Sequence, residues 1–214
     1  MHDANFIHGT LPAEIGLLSQ LRQFSVSGGD LFGAIPTQIG LLSNLETFLL
    51  SSNRLSRSIP TEIGLLRNLQ HLEFGLNKLT GTIPTEIGKL VTNLTYLDLD
   101  GNDISGTIPT EIAKLTRLKR LRLGLNKLSG QIPNGIGMLT NGSLFGSTSV
   151  VWNPYVETIS LQANPNLHGD LNPIFCDPST NYNSIDKKVY PRLTRLESDC
   201  DMNVRCQCCK CPGP

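Results

Sequence analysis

The sequence predicts an α/β solenoid, a stack of short coils. Three observations predict it: a 24-residue unit recurs along most of the chain, leucines alternate with polar residues at its start, and proline stands at a fixed place downstream. "TGTIPTEIGKL" at 80–90 returns as "SGTIPTEIAKL" at 105–115. With Leu21, Leu45, Leu69, Leu94, Leu118 and Val156 each opening a unit, the spacings are 24, 24, 25, 24 and 38 residues. The 25 absorbs one extra residue around "KLVTN" (Lys89 to Asn93), and the 38 is one unit plus a 14-residue insertion from Gly142 to Tyr155. A partial copy starts at Asn5, which makes about seven units, a stacked array rather than a bundle or a sandwich.

Each element of the unit has a physical reason. In "LTYLDLD" Leu97 and Leu99 alternate with Tyr96, Asp98 and Asp100, and a period of two sends leucines inward and polar residues outward on a short strand. Each coil therefore contributes one strand to a parallel sheet. Asparagine closes the strand at Asn5, Asn53, Asn77, Asn102, Asn126 and Asn164, where its amide can both donate to and accept from the backbone of a tight bend. Stacking predicts a ladder of these amides. Downstream, Ile63, Leu66 and Leu69 fall three apart, as do Ile112, Leu115 and Leu118, and residues three apart eclipse on a 3₁₀ turn. Proline at 12, 36, 60, 84, 109 and 133 fixes φ and lacks a donor, which this irregular outer side tolerates.

In "LTGTIPTEIGKL" (Leu79 to Leu90) and its recurrences, the units resemble the plant-type subclass of leucine-rich repeats over roughly residues 2–175. The resemblance implies a right-handed coil with a concave parallel sheet and convex 3₁₀ or irregular turns. Such repeats occur in receptor-kinase ectodomains, in secreted inhibitors of cell-wall hydrolases and in secreted algal proteins, and partner binding through the concave sheet is what the family implies. Three places depart from the pattern: Gly29 stands for the ladder asparagine, Arg57 for the glycine of "LxGxIP", and Asn172 near the last proline.

No single unit can bury its own leucines, so repetition supplies the core and the outward strand places are left for function. These are Gln23, Ser25 and Ser27; Thr47, Leu49 and Ser51; His71, Glu73 and Gly75; Tyr96, Asp98 and Asp100; Arg120, Arg122 and Gly124; and Thr158, Ser160 and Gln162. Glu73, Asp98 and Asp100 form an acidic patch beside a basic one of Lys119, Arg120 and Arg122, on strands about 4.8 Å apart. Either these charges pair across strands on a solvated face, or they pattern a docking surface with Tyr96 and His71 as anchors.

Composition excludes several classes. Lys plus Arg and Asp plus Glu number 18 each, a net charge of zero that draws neither nucleic acid nor anionic membrane. No apolar run is long enough to span a bilayer. "DLDGND" begins like a calcium loop but carries Asp103 and Pro109 where glycine and glutamate belong. Gly88-Lys89 lacks the rest of a phosphate loop, and His2, His8, His71 and His168 are scattered away from any nucleophile motif. Glu62, Glu86 and Glu111 recur with the consensus on the convex side. No catalytic residues, cofactor or metal site are expected.

The segment 176–214 differs in kind and is expected to be a cysteine-rich C-terminal cap and tail after a solenoid of 1–175. Cys176, Cys200, Cys206, Cys208, Cys209 and Cys211 form an even set, consistent with three disulfides in an oxidising compartment, among fifteen connectivities. Cys176 with Cys200 is the favoured pair, closing a loop over the last coil; a thiolate metal site in "CQCCKC" is the alternative, at a spacing unusual for structural zinc. Asn93-Leu94-Thr95 and Asn141-Gly142-Ser143 are glycosylation sequons, the second beside an insertion holding Trp152. Met1 is not followed by a signal peptide, and the first unit is cut through its strand, so a fragment or a start codon set too far downstream is expected, with the leader and N-terminal cap lost upstream. The reading is an extracellular or cell-surface recognition module for a protein, peptide or glycan. Its alternatives are a hydrolase inhibitor and the ectodomain fragment of a receptor kinase.

Overall fold

The computed structural model describes residues 7–139, 158–170, 195–197 and 204–205. Seven short strands lie side by side in one parallel sheet: Gln23–Ser25, Thr47–Leu49, His71–Glu73, Tyr96–Asp98, Arg120–Arg122, Thr158–Ser160 and Arg195–Glu197. Register is strict, with Phe24 opposite Phe48, Phe48 opposite Leu72, Leu72 opposite Leu97, Leu97 opposite Leu121 and Leu121 opposite Ile159. A one-residue slip would turn every one of these side chains to solvent, so the alternating pattern enforces the stacking. The strand Arg195–Glu197 extends the same sheet past residue 175 and pairs in register with Thr158–Ser160.

Inward leucines and isoleucines from each coil merge into one continuous core. Leu45, Leu69, Leu72, Leu97, Leu99 and Leu123 are fully buried, each contributing about 2 kcal/mol of apolar burial. Phe48 lies edge-on to Phe74 with ring centroids 5.0 Å apart, and Phe24 caps that pair at 5.8 Å from Phe48.

The outer side consists of 3₁₀ turns at Ala13–Leu17, Thr37–Leu41, Thr61–Leu65, Thr85–Lys89, Thr110–Lys114 and Asn134–Leu139. The proline before each of the first five is extended, as Pro60 shows with φ −68° and ψ 143°, and its carbonyl accepts the first turn bond, Ile63 N–H to Pro60 O at 3.1 Å. Only the carbonyl is used there, so the missing donor costs nothing. The three-residue bonding continues from Leu66 to Ile63 and from Leu69 to Leu66, which places all three apolar residues in the core.

A second set of strands was not foreseen from the sequence. Segments following the ladder asparagine pair in parallel as His8–Thr10, Asp30–Gly33, Arg54–Arg57 and Lys78–Leu79, and again as Ser105–Gly106, Lys127–Gln131, Asn166–Asp170 and Val204–Arg205. Each coil thus carries two strands, one on the concave face and one past the bend. The "LxGxIP" half gave no period-two apolar signal, because only its first leucine and its isoleucine, such as Leu79 and Ile83, turn inward.

Glycines set how closely the coils approach. A Cβ on Gly40, Gly64 or Gly88 would lie 2.8, 2.5 or 2.5 Å from Glu62, Glu86 or Glu111 of the next coil. Where Ala113 replaces that glycine, the glutamate of the following coil is itself replaced by Gly135, whose own Cβ would lie 2.7 Å from the Ala113 methyl. The two exchanges compensate one another. At the glycine of "LxGxIP" the φ values are +82°, +76°, +76° and +78° for Gly33, Gly81, Gly106 and Gly130, and Arg57 adopts +69° in the same place. An L-residue there carries left-handed strain.

Two outcomes follow from this stacking. Gly135→Ala is expected to lower the denaturant-unfolding free energy by about 1–3 kcal/mol, and Ala113→Gly in the same chain to restore most of it; equal losses in single and double variants would disprove the pairing. Arg57→Gly is expected to stabilise by about 0.5–1 kcal/mol, read as a higher thermal midpoint.

Candidate functional site

The site is built on the bend that ends each concave strand. The residue before the ladder place, held by asparagine in all these coils but the one with Gly29, takes left-handed φ: Gly28 +70°, Ser52 +59°, Leu76 +56°, Gly101 +65°, Leu125 +51° and Ala163 +55°. This turn points backbone carbonyls inward, and the asparagine amide meets them. Asn102 Nδ2 donates to Leu99 O within its coil at 3.0 Å and to Phe74 O of the preceding coil at 3.1 Å, while its Oδ1 accepts Leu79 N–H at 3.0 Å. Asn53, Asn77, Asn126 and Asn164 repeat the same three contacts. Asn5 lies outside the described residues.

With the bends fixed, outward side chains line up in rows across the concave face. In the first row Gln23, Thr47, His71, Tyr96, Arg120 and Thr158 are in register. Its centre is a file of three: the His71 ring stands edge-on to Tyr96 at 4.5 Å, and the Arg120 guanidinium sits 5.1 Å above the Tyr96 ring centroid. A cation over a tyrosine face is attracted by the ring quadrupole. The second row carries Ser25, Leu49, Glu73, Asp98, Arg122 and Ser160.

Here the acidic and basic patches meet. Arg122 bonds Asp98 Oδ2 at 3.0 Å and Asp100 Oδ2 at 3.3 Å, holding both carboxylates in one fork. Asp98 Oδ1 also accepts the Asp100 N–H at 3.0 Å. Burial pushes the Asp98 pKa up; the Asp100 N–H and Arg122 oppose this, and the Asp100 and Glu73 charges add to it. Among the described residues Glu73 has no ion-pair partner.

Four residues read as outward are buried, the glycines Gly75 and Gly124 and, with side chains, Asp100 and Ser160. Asp100 is tucked beside Gly75 and Gly124 and covered by Arg122, with its side chain 7% exposed. Ser160 has no exposed surface, because the strand Arg195–Glu197 lies beside it and its hydroxyl bonds Gln162 Oε1 at 2.5 Å. Gln23 and Ser25 are exposed; Thr47, Leu49, His71, Glu73, Tyr96, Asp98 and Thr158 are half-buried. Sequence reading placed Gly75 and Gly124 in the outward rows without a role. Glycine at the seventh strand place in both coils flanking Asp100 was the available signal. The exposed left-handed Leu76 and Leu125 also passed unnoticed.

The Asn93 sequon amide is half-buried and engaged, donating to Arg67 O at 2.9 Å; Asn44 and Asn68 make the same contact to Ser19 O and Ser43 O. Asn141 and the six cysteines lie outside the described residues. Among those residues no three His, Cys, Asp or Glu side chains are placed to hold a metal ion, and no helix is long and apolar enough to cross a membrane.

The family model described as Leucine Rich Repeat matches residues 44–66, 68–90, 93–115 and 117–139. No curated protein matches the chain in sequence. Among solved structures, the plant peptide hormone receptor RGFR1 in complex with RGF2 is 34% identical at a TM-score of 0.70, covering 79% of this chain and 25% of the receptor chain. PEPR1 with AtPEP1 is 30% identical at 0.69, covering 92% and 27%. The Arabidopsis receptor kinase HAESA, in complex with the peptide hormone IDA and the co-receptor SERK1, is 28% identical at 0.66, covering 80% and 30%. The chain thus spans about a quarter of the length of the first of these receptor chains. Four matched repeats, the parallel sheet backed by 3₁₀ turns and the amide ladder make this chain a plant-type leucine-rich-repeat protein.

Proposed function

We propose that the chain is the ligand-reading part of an extracellular recognition module that binds a peptide along its concave sheet and performs no catalysis. The observation that carries this reading is the His71–Tyr96–Arg120 file beside the Arg122 fork. It is an aromatic and cationic ridge in the middle of the concave face, where side chains are held by stacking rather than by a mobile loop. Aromatic and arginine side chains in rigid settings are the residues that dominate binding energy. The likeness to receptors solved with bound peptide hormones supports a peptide as ligand and the cell exterior as location. Charge placement along the rows then sets which sequence fits.

Peptides selected from a random library on the immobilised chain test the reading. Tyr96→Ala and Arg120→Glu are expected to weaken the selected peptides by ~tenfold or more, while Lys114→Glu on the convex side leaves them unchanged. Equal effects from both faces would refute a concave site, and a hydrolase slowed by the chain through Tyr96 would assign the face to inhibition instead.

The Asp98 environment adds a stability test. Its raised pKa means the folded chain keeps this proton to higher pH than the unfolded chain. Between the two values the unfolded state binds fewer protons, so stability falls as pH rises through that window. Denaturant titrations from the ordinary carboxylate range upward should show the fall, and Asp98→Asn should flatten it. An identical slope in the variant would show that another group is responsible.

A further inference from the structure

Deepest in the acidic patch, Asp100 carries a carboxylate oxygen, Oδ1, that is buried and has no hydrogen-bond partner. Its other oxygen is held by Arg122, and its side chain is only 7% exposed. A buried carboxylate oxygen without a donor is costly, and no feature of the coil requires it. At the same place the first two described coils carry Ser27 and Ser51, and the coil after Gly124 carries Gln162, all neutral. The following coil has given up its side chain for it, at Gly124, and the preceding one for Asp98, at Gly75. A Cβ on Gly124 would lie 2.7 Å from Asp100 Oδ1 and 3.0 Å from Gln162 Nε2, and one on Gly75 would lie 2.9 Å from Asp98 Oδ1. Asp100 Oδ1 and the Gln162 amide therefore converge in front of Gly124, on the concave side. Two carboxyls, Asp98 and Asp100, share the forked guanidinium of Arg122, and Glu73 beside Asp98 has no ion-pair partner among the described residues, leaving an excess of acceptors.

We propose that the notch in front of Gly124, floored by Asp100 and edged by Gln162, with Asp98 and Glu73 adding charge from the strands beyond, is a subsite for a cationic side chain of the bound peptide. A guanidinium or ammonium entering there, as the Gln162 carboxamide swings aside, donates to Asp100 Oδ1 and balances the carboxylate excess. Its N–H groups replace the missing donor, and charge-assisted bonds of this kind are roughly twice as strong as neutral ones. Carboxylates already fixed by Arg122 and by the Asp100 N–H need no reordering to receive it. The inference rests on the peptide-binding reading of the concave face and adds to it a preference for a basic residue at one ligand position.

The test uses the full chain, ¹⁵N-labelled, titrated with N-acetyl-arginine amide, and N-acetyl-citrulline amide as its neutral isostere. Saturable shifts of the Gly75, Asp100 and Gly124 amides with the arginine probe, and none with citrulline at equal concentration, are expected. Asp100→Asn keeps the shape and removes the charge, and should weaken the arginine probe by ~tenfold or more. Glu73→Gln, two strands away, should weaken it less, through charge alone, and serves if Asp100→Asn does not fold. Equal shifts with both probes, shifts confined to other residues, or unchanged affinity in folded Asp100→Asn would overturn the subsite and leave Asp100 Oδ1 to an ordered water. A library peptide sensitive to Tyr96→Ala but indifferent to Asp100→Asn would keep the peptide-binding reading and remove the subsite. Arginine-probe binding with no peptide binder would do the reverse.

Discussion

The asparagine amide at the end of each concave strand is the interaction on which the rest depends. A coil of 24 residues can return to its start only if the chain turns sharply after the strand, and the turn here passes through a left-handed residue that leaves inward-pointing carbonyls without strand partners. Buried backbone groups in that state would make stacking unfavourable. Asn102 meets the need on both sides of the coil junction, donating to Leu99 O and Phe74 O and accepting Leu79 N–H. The same amide closes one bend and ties it to the coil before, so local turn and long-range stacking are satisfied by one side chain.

Once the bends are tied, the spacing of coils is fixed and small residues must absorb it. This is why glycine in the 3₁₀ turn faces the glutamate of the next coil, and why Ala113 is accompanied by Gly135. Arg57, in the left-handed place of glycine, shows that one coil can carry backbone strain within an otherwise regular array. On the concave side the same spacing converts sequence positions 24 or 25 apart into neighbours, which is how His71, Tyr96 and Arg120 come to touch. A concave face made in this way is rigid, because the strands between the two edge strands are held by neighbours on both sides.

The outward rows illustrate what could be read and what could not. Period-two alternation named Tyr96, Asp98, Arg120 and Arg122 as outward, but alternation carries no information on how side chains 22 or 24 residues apart choose partners. In the charged patches Arg122 pairs across strands with Asp98 and Asp100, while the Arg120 guanidinium lies over the Tyr96 ring. Asp100 and Ser160 obey the outward period and are nonetheless buried, one lying in the space beside Gly124 under Arg122 and the other beside an added strand.

By itself the sequence determined the repeat, the inward leucines, the 3₁₀ turns, the prolines and the amide ladder. Each of these depends on residues close together within one unit, where spacing translates directly into geometry. Only the tertiary structure decided the second strand of each coil, the Ala113–Gly135 exchange, the Arg122 fork and the unpartnered oxygen of Asp100. These depend on contacts between adjacent coils, whose partners are set by stacking distance and side-chain reach, quantities that no single unit contains.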